Sequence, residues 1–117
     1  MNIRGYHVIA DFFDCRKLPT TVESLKEILK CACREAGATI LATVSHEFSD
    51  GGMSCVVLLA ESHCSAHIWP EHRYVSIDIY TCGQSADPWK VRDLLYEYFM
   101  PYRSKNEGLT RGVYGAL

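Results

Sequence analysis

Between Tyr74 and Thr81 the chain alternates without a break. Val75, Ile77, Ile79 and Thr81 fall on one side, and Tyr74, Ser76, Asp78 and Tyr80 on the other. Successive side chains of a strand point to opposite faces, so this segment predicts a strand covered on one face and polar on the other. A one-sided strand belongs to a one-sided sheet, and such a sheet needs helices to cover its apolar face.

The chain supplies two helices. Val22, Leu25, Ile28, Leu29, Ala32 and Ala36 recur at helical spacing behind a capping box at Thr20 and Glu23, and Gly37 is a natural stop. Asp87 caps a second helix with Pro88 at its first position; Val91, Leu94, Leu95, Tyr98 and Phe99 form its stripe, and Pro101 closes it. Further strands are predicted over Tyr6–Phe13, Thr39–Phe48, Ser54–Ala60 and Cys64–Trp69, with a turn at Ser49-Asp50-Gly51-Gly52 and a stop at Pro70. The polar tail beyond Pro101 reads as a loose segment. The expected fold is α+β: a two-layer sandwich, one antiparallel sheet with helices on one face, in a single domain over residues 1–117. The bare face of that sheet calls for a partner chain or a ligand.

A net charge of −2 gives no electrostatic case for nucleic acid or an anionic membrane as partner. The longest apolar run, Cys55 to Ala60, is too short to span a bilayer, and the first residues lack the plan of a signal peptide, so a cytoplasmic address is expected. The six cysteines, Cys15, Cys31, Cys33, Cys55, Cys64 and Cys82, include no C-x-x-C pair. Without a secretory leader they are expected to be reduced, small and mostly buried, with Cys82 set apart for chemistry. Cys31 and Cys33 lie two apart on a helix and point to different sides.

Residues able to do chemistry concentrate between His46 and Cys82, above all in A-E-S-H-C-S-A-H-I-W-P-E, residues 60–71. A serine and two histidines so close together suggest a hydrolase fragment, yet there is no G-x-S-x-G elbow, and a triad is defined by geometry, not by proximity in sequence. A zinc site from His63, His67, His72 and Cys82 has no standard spacing, so no metal is expected. A polar hairpin with surface histidines remains the plain alternative.

Other motifs follow in order: Gly5-Tyr6-His7 with Asp11 and Cys15, Ala36-Gly37-Ala38-Thr39, His46-x-Phe48, Gly52-x-Ser54, Asp78-x-Tyr80-Thr81-Cys82-Gly83 and Asp87-Pro88-Trp89-Lys90. Together with residues 60–71 this set resembles the prokaryotic S-adenosylmethionine decarboxylases, a family of pyruvoyl-dependent proenzymes. The resemblance runs from residue 5 to about 100 and is weak beyond.

The resemblance implies self-cleavage of the Glu61-Ser62 bond into a 1–61 β chain and a 62–117 α chain. Ser62 becomes a pyruvoyl group, replacing pyridoxal phosphate as the electron sink and forming a Schiff base with the substrate amine. It also implies that His67 moves a proton during the elimination, that Ser54 stabilises the processing intermediate, and that Cys82 reprotonates the product carbon. A thiol with a pKa of about 8.5 suits that last task. If Cys64–Trp69 is extended, a chain reversal near Ser62 would bring His67 back over it. Phe48 matches the aromatic that stacks on adenine, and Glu71 the carboxylate that holds the ribose hydroxyls. The implied assembly is a homodimer with sites shared across the interface, acting on a small-molecule substrate and feeding spermidine synthesis.

Several positions depart from the family pattern. Asp50 replaces a proline, Cys55 a glycine, Cys64 and Ala66 larger apolar residues, and His72 follows Glu71. A carboxylate at Asp50 keeps L-arginine or L-ornithine open as substrates, and an uncut, non-catalytic ligand-binding relative is the alternative outside enzymology.

Overall fold

The computed structural model describes residues 5–82 and 86–112. Gly83, the end of the motif that starts at Asp78, lies outside the described residues. The elements run β1 (Gly5–Cys15), α1 (Val22–Glu35), β2 (Ile40–Glu47), β3 (Met53–Leu59), β4 (Ser62–Trp69), a short 3-10 turn (Pro70–His72), β5 (Tyr74–Thr81), α2 (Pro88–Phe99) and β6 (Pro101–Arg111). All six strands join one sheet in the order β2-β3-β4-β5-β1-β6, and every neighbouring pair is antiparallel. The expected α+β sandwich is therefore the observed one.

Both helices lie on the same face, α1 against β2, β3 and β4, α2 against β1 and β5. The alternation read from β5 holds residue by residue, with Val75, Ile77, Ile79 and Thr81 buried. Val8, Ala10 and Phe12 of β1, Cys55 and Val57 of β3, and Cys64, Ala66 and Ile68 of β4 join them beneath Leu25, Leu29, Val91, Leu95 and Phe99. Three of the departures noted above, Cys55, Cys64 and Ala66, thus face the helices and touch no chemistry; Cys64 packs beside Cys33 of α1.

Three expectations need correction. The α1 cap is Thr21, whose side chain accepts from the Ser24 amide at 3.1 Å, one residue beyond the expected Thr20. Strand β4 begins at Ser62, not at Cys64. The tail is no loose segment: β6 pairs with the whole of β1, from Gly5↔Arg111 to Cys15↔Pro101. As an edge strand it is bonded on one side only, and Arg103, Lys105 and Glu107 mask any apolar alternation while guarding the edge. At Gly108 the backbone must pass close, since a Cβ there would lie 2.9 Å from the Trp89 ring.

No helix among the described residues is long and apolar enough to cross a membrane. The sheet face away from the helices is open. It carries His7, Ser54, His63, His67 and Asp78 together with exposed Val44, Val56, Leu58, Ile9 and Leu109.

Candidate active site

The hairpin between β3 and β4 turns through only two residues, Ala60 and Glu61, because Leu59 pairs directly with Ser62. Two-residue hairpins usually require positive φ in the loop itself. Here neither Ala60 nor Glu61 has it; the first residue after the turn does, with Ser62 at φ 153°. That conformation is unfavourable for a residue with a Cβ, so local strain falls next to the Glu61-Ser62 bond.

Neighbours hold the turn from both sides. The Thr39 amide donates to Glu61 Oε1 at 3.1 Å, and the Ala60 amide donates to the Thr39 carbonyl at 2.9 Å. On the other side Cys82 offers two donors to the Glu61 carbonyl oxygen, its amide at 2.8 Å and its thiol at 2.8 Å. Both sit where negative charge would build if a nucleophile attacked that carbonyl, the arrangement of an oxyanion hole.

Cys82 is exposed, unlike most of the other cysteines. Burial pushes the Cys15 thiol up to about 11, and a hydrogen bond with Cys33 plus burial pushes Cys64 well above its ordinary value. These two are protonated, inert core residues. Cys33 and Cys55 are buried as well, while Cys31 is exposed against expectation: it lies on the outer side of α1, opposite in sense to Cys33.

A second group lies further along β4. Ser54 stands opposite His67 across the β3–β4 ladder, and Ser54 Oγ is 2.7 Å from His67 Nδ1. The pair opens into a cleft of about 370 Å³ lined by Phe48, Asp50, Ser54, His67, Trp69 and Glu71, among others. Phe48 is half-exposed and meets His46 edge-on at 4.6 Å. Asp50 Oδ1 accepts from the Gly52 amide at 2.9 Å, so this carboxylate braces its own turn.

The two groups are apart. Ser62 and His67 are five steps along one continuous strand, about 16 Å at the usual rise per residue. The chain reversal expected near Ser62 does not occur on the β4 side, and His67 cannot reach Ser62 within one chain. The zinc set fails for the same reason. Among the described residues His63 clusters instead with His7 and Asp78. His7 Nε2 lies 2.6 Å and His63 Nε2 3.1 Å from the same Asp78 Oδ1.

No motif spacing predicts this cluster, although both partners of His63 stand in the motifs named above. The β5 alternation already put Asp78 on the open face. What it lacked was the strand order, which sets β5 between β4 and β1.

Comparison with known proteins bears on the family. The profile of the S-adenosylmethionine decarboxylase family matches residues 6–112, reaching past the point where the motifs fade. The S-adenosylmethionine decarboxylase proenzyme of Thermosipho africanus is 39% identical over 118 aligned positions, covering 100% of this chain and 91% of that one. The proenzyme of Thermotoga maritima is 42% identical over 92 positions, covering 78% and 71%. The crystal structure of the adenosylmethionine decarboxylase of Aquifex aeolicus superposes with a TM-score of 0.90 at 31% identity, covering 100% of this chain and 98% of that one. On sequence and fold alike, the chain belongs to the S-adenosylmethionine decarboxylase family.

Proposed function

We propose that this chain is a self-processing S-adenosylmethionine decarboxylase that cuts itself between Glu61 and Ser62 and completes its active site with a second copy of itself. The observation that carries the reading is the Glu61-Ser62 turn: a strained Ser62 follows a carbonyl already held by two donors from Cys82.

Processing begins when the Ser62 hydroxyl attacks the Glu61 carbonyl carbon. Charge passes to the carbonyl oxygen, where the Cys82 amide and thiol stabilise it. The amide becomes an ester, and elimination then releases chain 1–61 as a carboxylate and leaves a dehydroalanine at residue 62. This tautomerises to an imine, which takes up water and loses ammonia, so that chain 62–117 begins with a keto group. That pyruvoyl group supplies the electron sink for decarboxylation, which ordinary side chains lack. Cys82, exposed and beside Ser62, is placed to return a proton to the product carbon.

Ser54 and His67 have a different address, and a second protomer resolves it. If two open faces pack together in an antiparallel sense, the Ser54–His67 end of one chain lies over the Ser62 end of the other. The patch of Val44, Val56, Leu58, Ile9 and Leu109 gives such packing an apolar basis. His67 of the partner subunit would then take the proton in the elimination step. The cleft beside it receives the substrate, with Phe48 against the adenine and Glu71 accepting from the ribose hydroxyls. Phe48 and Glu71 both line the cleft, and a small basic amino acid such as arginine or ornithine needs neither, so the adenosyl substrate is favoured. Free thiols throughout suit a reducing, cytoplasmic setting, and the product suits spermidine synthesis.

Intact mass under denaturing conditions tests the processing claim. Two fragments divided at Glu61-Ser62 are expected, the C-terminal one lighter by one ammonia than a serine-ended peptide. A single chain that stays uncut on prolonged incubation would remove the pyruvoyl group from the account.

A further inference from the structure

We propose that His63, oriented by Asp78, is the base that deprotonates Ser62 in the first step of self-cleavage, leaving His67 to the later elimination. The inference rests on the processing reading above and adds a division of labour between two histidines.

Ser62 Oγ lies 3.5 Å from His63 Nδ1, at the outer limit of a hydrogen bond and in reach after a small rotation of the serine. His67, by contrast, is engaged with Ser54 and is far along the strand. A chain of contacts fixes which nitrogen of His63 is free. Arg111 donates to His7 Nδ1 at 3.1 Å, so the proton of neutral His7 sits on Nε2 and is donated to Asp78 Oδ1. The same carboxylate oxygen accepts from His63 Nε2. That leaves the Nδ1 lone pair of His63 directed toward the Ser62 hydroxyl, the tautomer a base requires.

The fold builds this arrangement deliberately. His63, Tyr80 and His7 stand in register across β4, β5 and β1 on the open face. Tyr80 meets both imidazoles, at 5.2 Å from His7 and 5.8 Å from His63, and the Arg111 guanidinium lies 5.5 Å from its ring. Gly5 leaves the room Tyr80 needs: a Cβ there would sit 2.4 Å from the ring. A hydroxyl beside an imidazole that is itself held by a carboxylate is the general pattern of an activated serine.

The step balances. His63 Nδ1 takes the hydroxyl proton as Oγ bonds to the Glu61 carbonyl carbon. The same proton passes to the Ser62 nitrogen as the Glu61 C–N bond breaks. The result is an ester from Glu61 to Ser62 Oγ and a free amine, with no net gain or loss of protons. Asp78 acts through His63 and is a positioning residue.

Freshly translated chain, followed by intact mass with and without hydroxylamine (which cuts esters but not amides), tests the proposal. His63→Ala should slow cleavage by about 10²-fold or more, the usual worth of a general base. It should yield no fragments with hydroxylamine, because the ester never forms, and added imidazole should restore part of the rate, which a misfolded chain would not allow. His67→Ala should instead collect a hydroxylamine-sensitive ester. Asp78→Asn should slow cleavage less than His63→Ala and add nothing to it in the double variant. Cleavage of His63→Ala at the wild-type rate, a hydroxylamine-sensitive ester accumulating in it, or additive effects of the two substitutions would each overturn the proposal. If the wild-type chain itself never cleaves, it is the processing reading that fails.

Discussion

The two faces of the sheet are made from the same strands, yet they answer to different demands. On the helix side, β4 contributes Cys64, Ala66 and Ile68, all buried and apolar, and β5 contributes Val75, Ile77 and Ile79. One residue over, the same strands present His63, Ser65, His67, Ser76 and Asp78 to the open side. The covered face supplies the burial that holds the fold, at roughly 25 cal/mol per Å² of apolar surface. The open face spends almost nothing on stability and gathers the reactive groups. A two-residue period separates folding from most of the chemistry, so substitutions deep in one face should leave the other largely intact. Ser62 is the exception: it opens β4 in phase with Cys64 and pairs with buried Leu59 and Thr81.

Leu58 and Phe99 set that separation its hardest test. Leu58 is half-exposed on the open face and stands opposite His63. Leu58→Asp should abolish the dimer and with it nearly all decarboxylation, while the denaturation midpoint of the isolated chain barely moves. Light scattering read beside released carbon dioxide checks both halves, and an active, dimeric variant would place the interface elsewhere. Phe99, the last residue of α2, is fully buried and meets Phe12. Phe99→Ala should cost about 3–5 kcal/mol in denaturant unfolding, yet the surviving folded fraction should still cleave at Ser62. Loss of cleavage at full foldedness would show that the faces are coupled.

A smaller effect sharpens the comparison at the sheet's far end. Desolvation, then the hydrogen bond to Asp11, pushes the Tyr74 phenol up to about 12. The native state therefore keeps a proton that the unfolded chain releases at about 10. The contribution is complete below pH 10 and is lost as pH rises through 12. Tyrosinate absorbance should show one late-titrating phenol, and Asp11→Asn should bring it earlier.

Much of the fold could be read from residue patterns. The β5 alternation, the two apolar stripes and the Asp87-Pro88 helix start each survive in place, because local spacing encodes them. β6 leaves no such pattern because an edge strand needs no apolar face of its own, and its pairing with β1 links residues about a hundred positions apart. The site divides the same way. The motifs name Glu61, Ser62, Cys82, Ser54 and His67 but not their contacts: Cys82 meets the Glu61 carbonyl, and Ser54 meets His67 across one ladder. The distance between those groups could not be read from spacing: Ser62 and His67 look adjacent in sequence and are kept apart by being on one straight strand. The grouping of His63 with Asp78 and His7 is not legible in the sequence, because those partners come from strands that only the sheet order brings beside it.

The claim that one chain's Ser62 works with the other chain's His67 is tested most directly by mixing two inactive variants. Ser62→Ala and His67→Ala chains, carrying different tags, would be co-expressed and compared with each variant alone for cleavage at Glu61-Ser62 and carbon dioxide release. A shared site predicts that each variant alone is dead and that the mixture recovers about a quarter of wild-type activity, since about half of randomly paired dimers carry one intact site of two. No recovery in the mixture, with mixed dimers demonstrated by the tags, would mean that each chain works alone and would contradict the account.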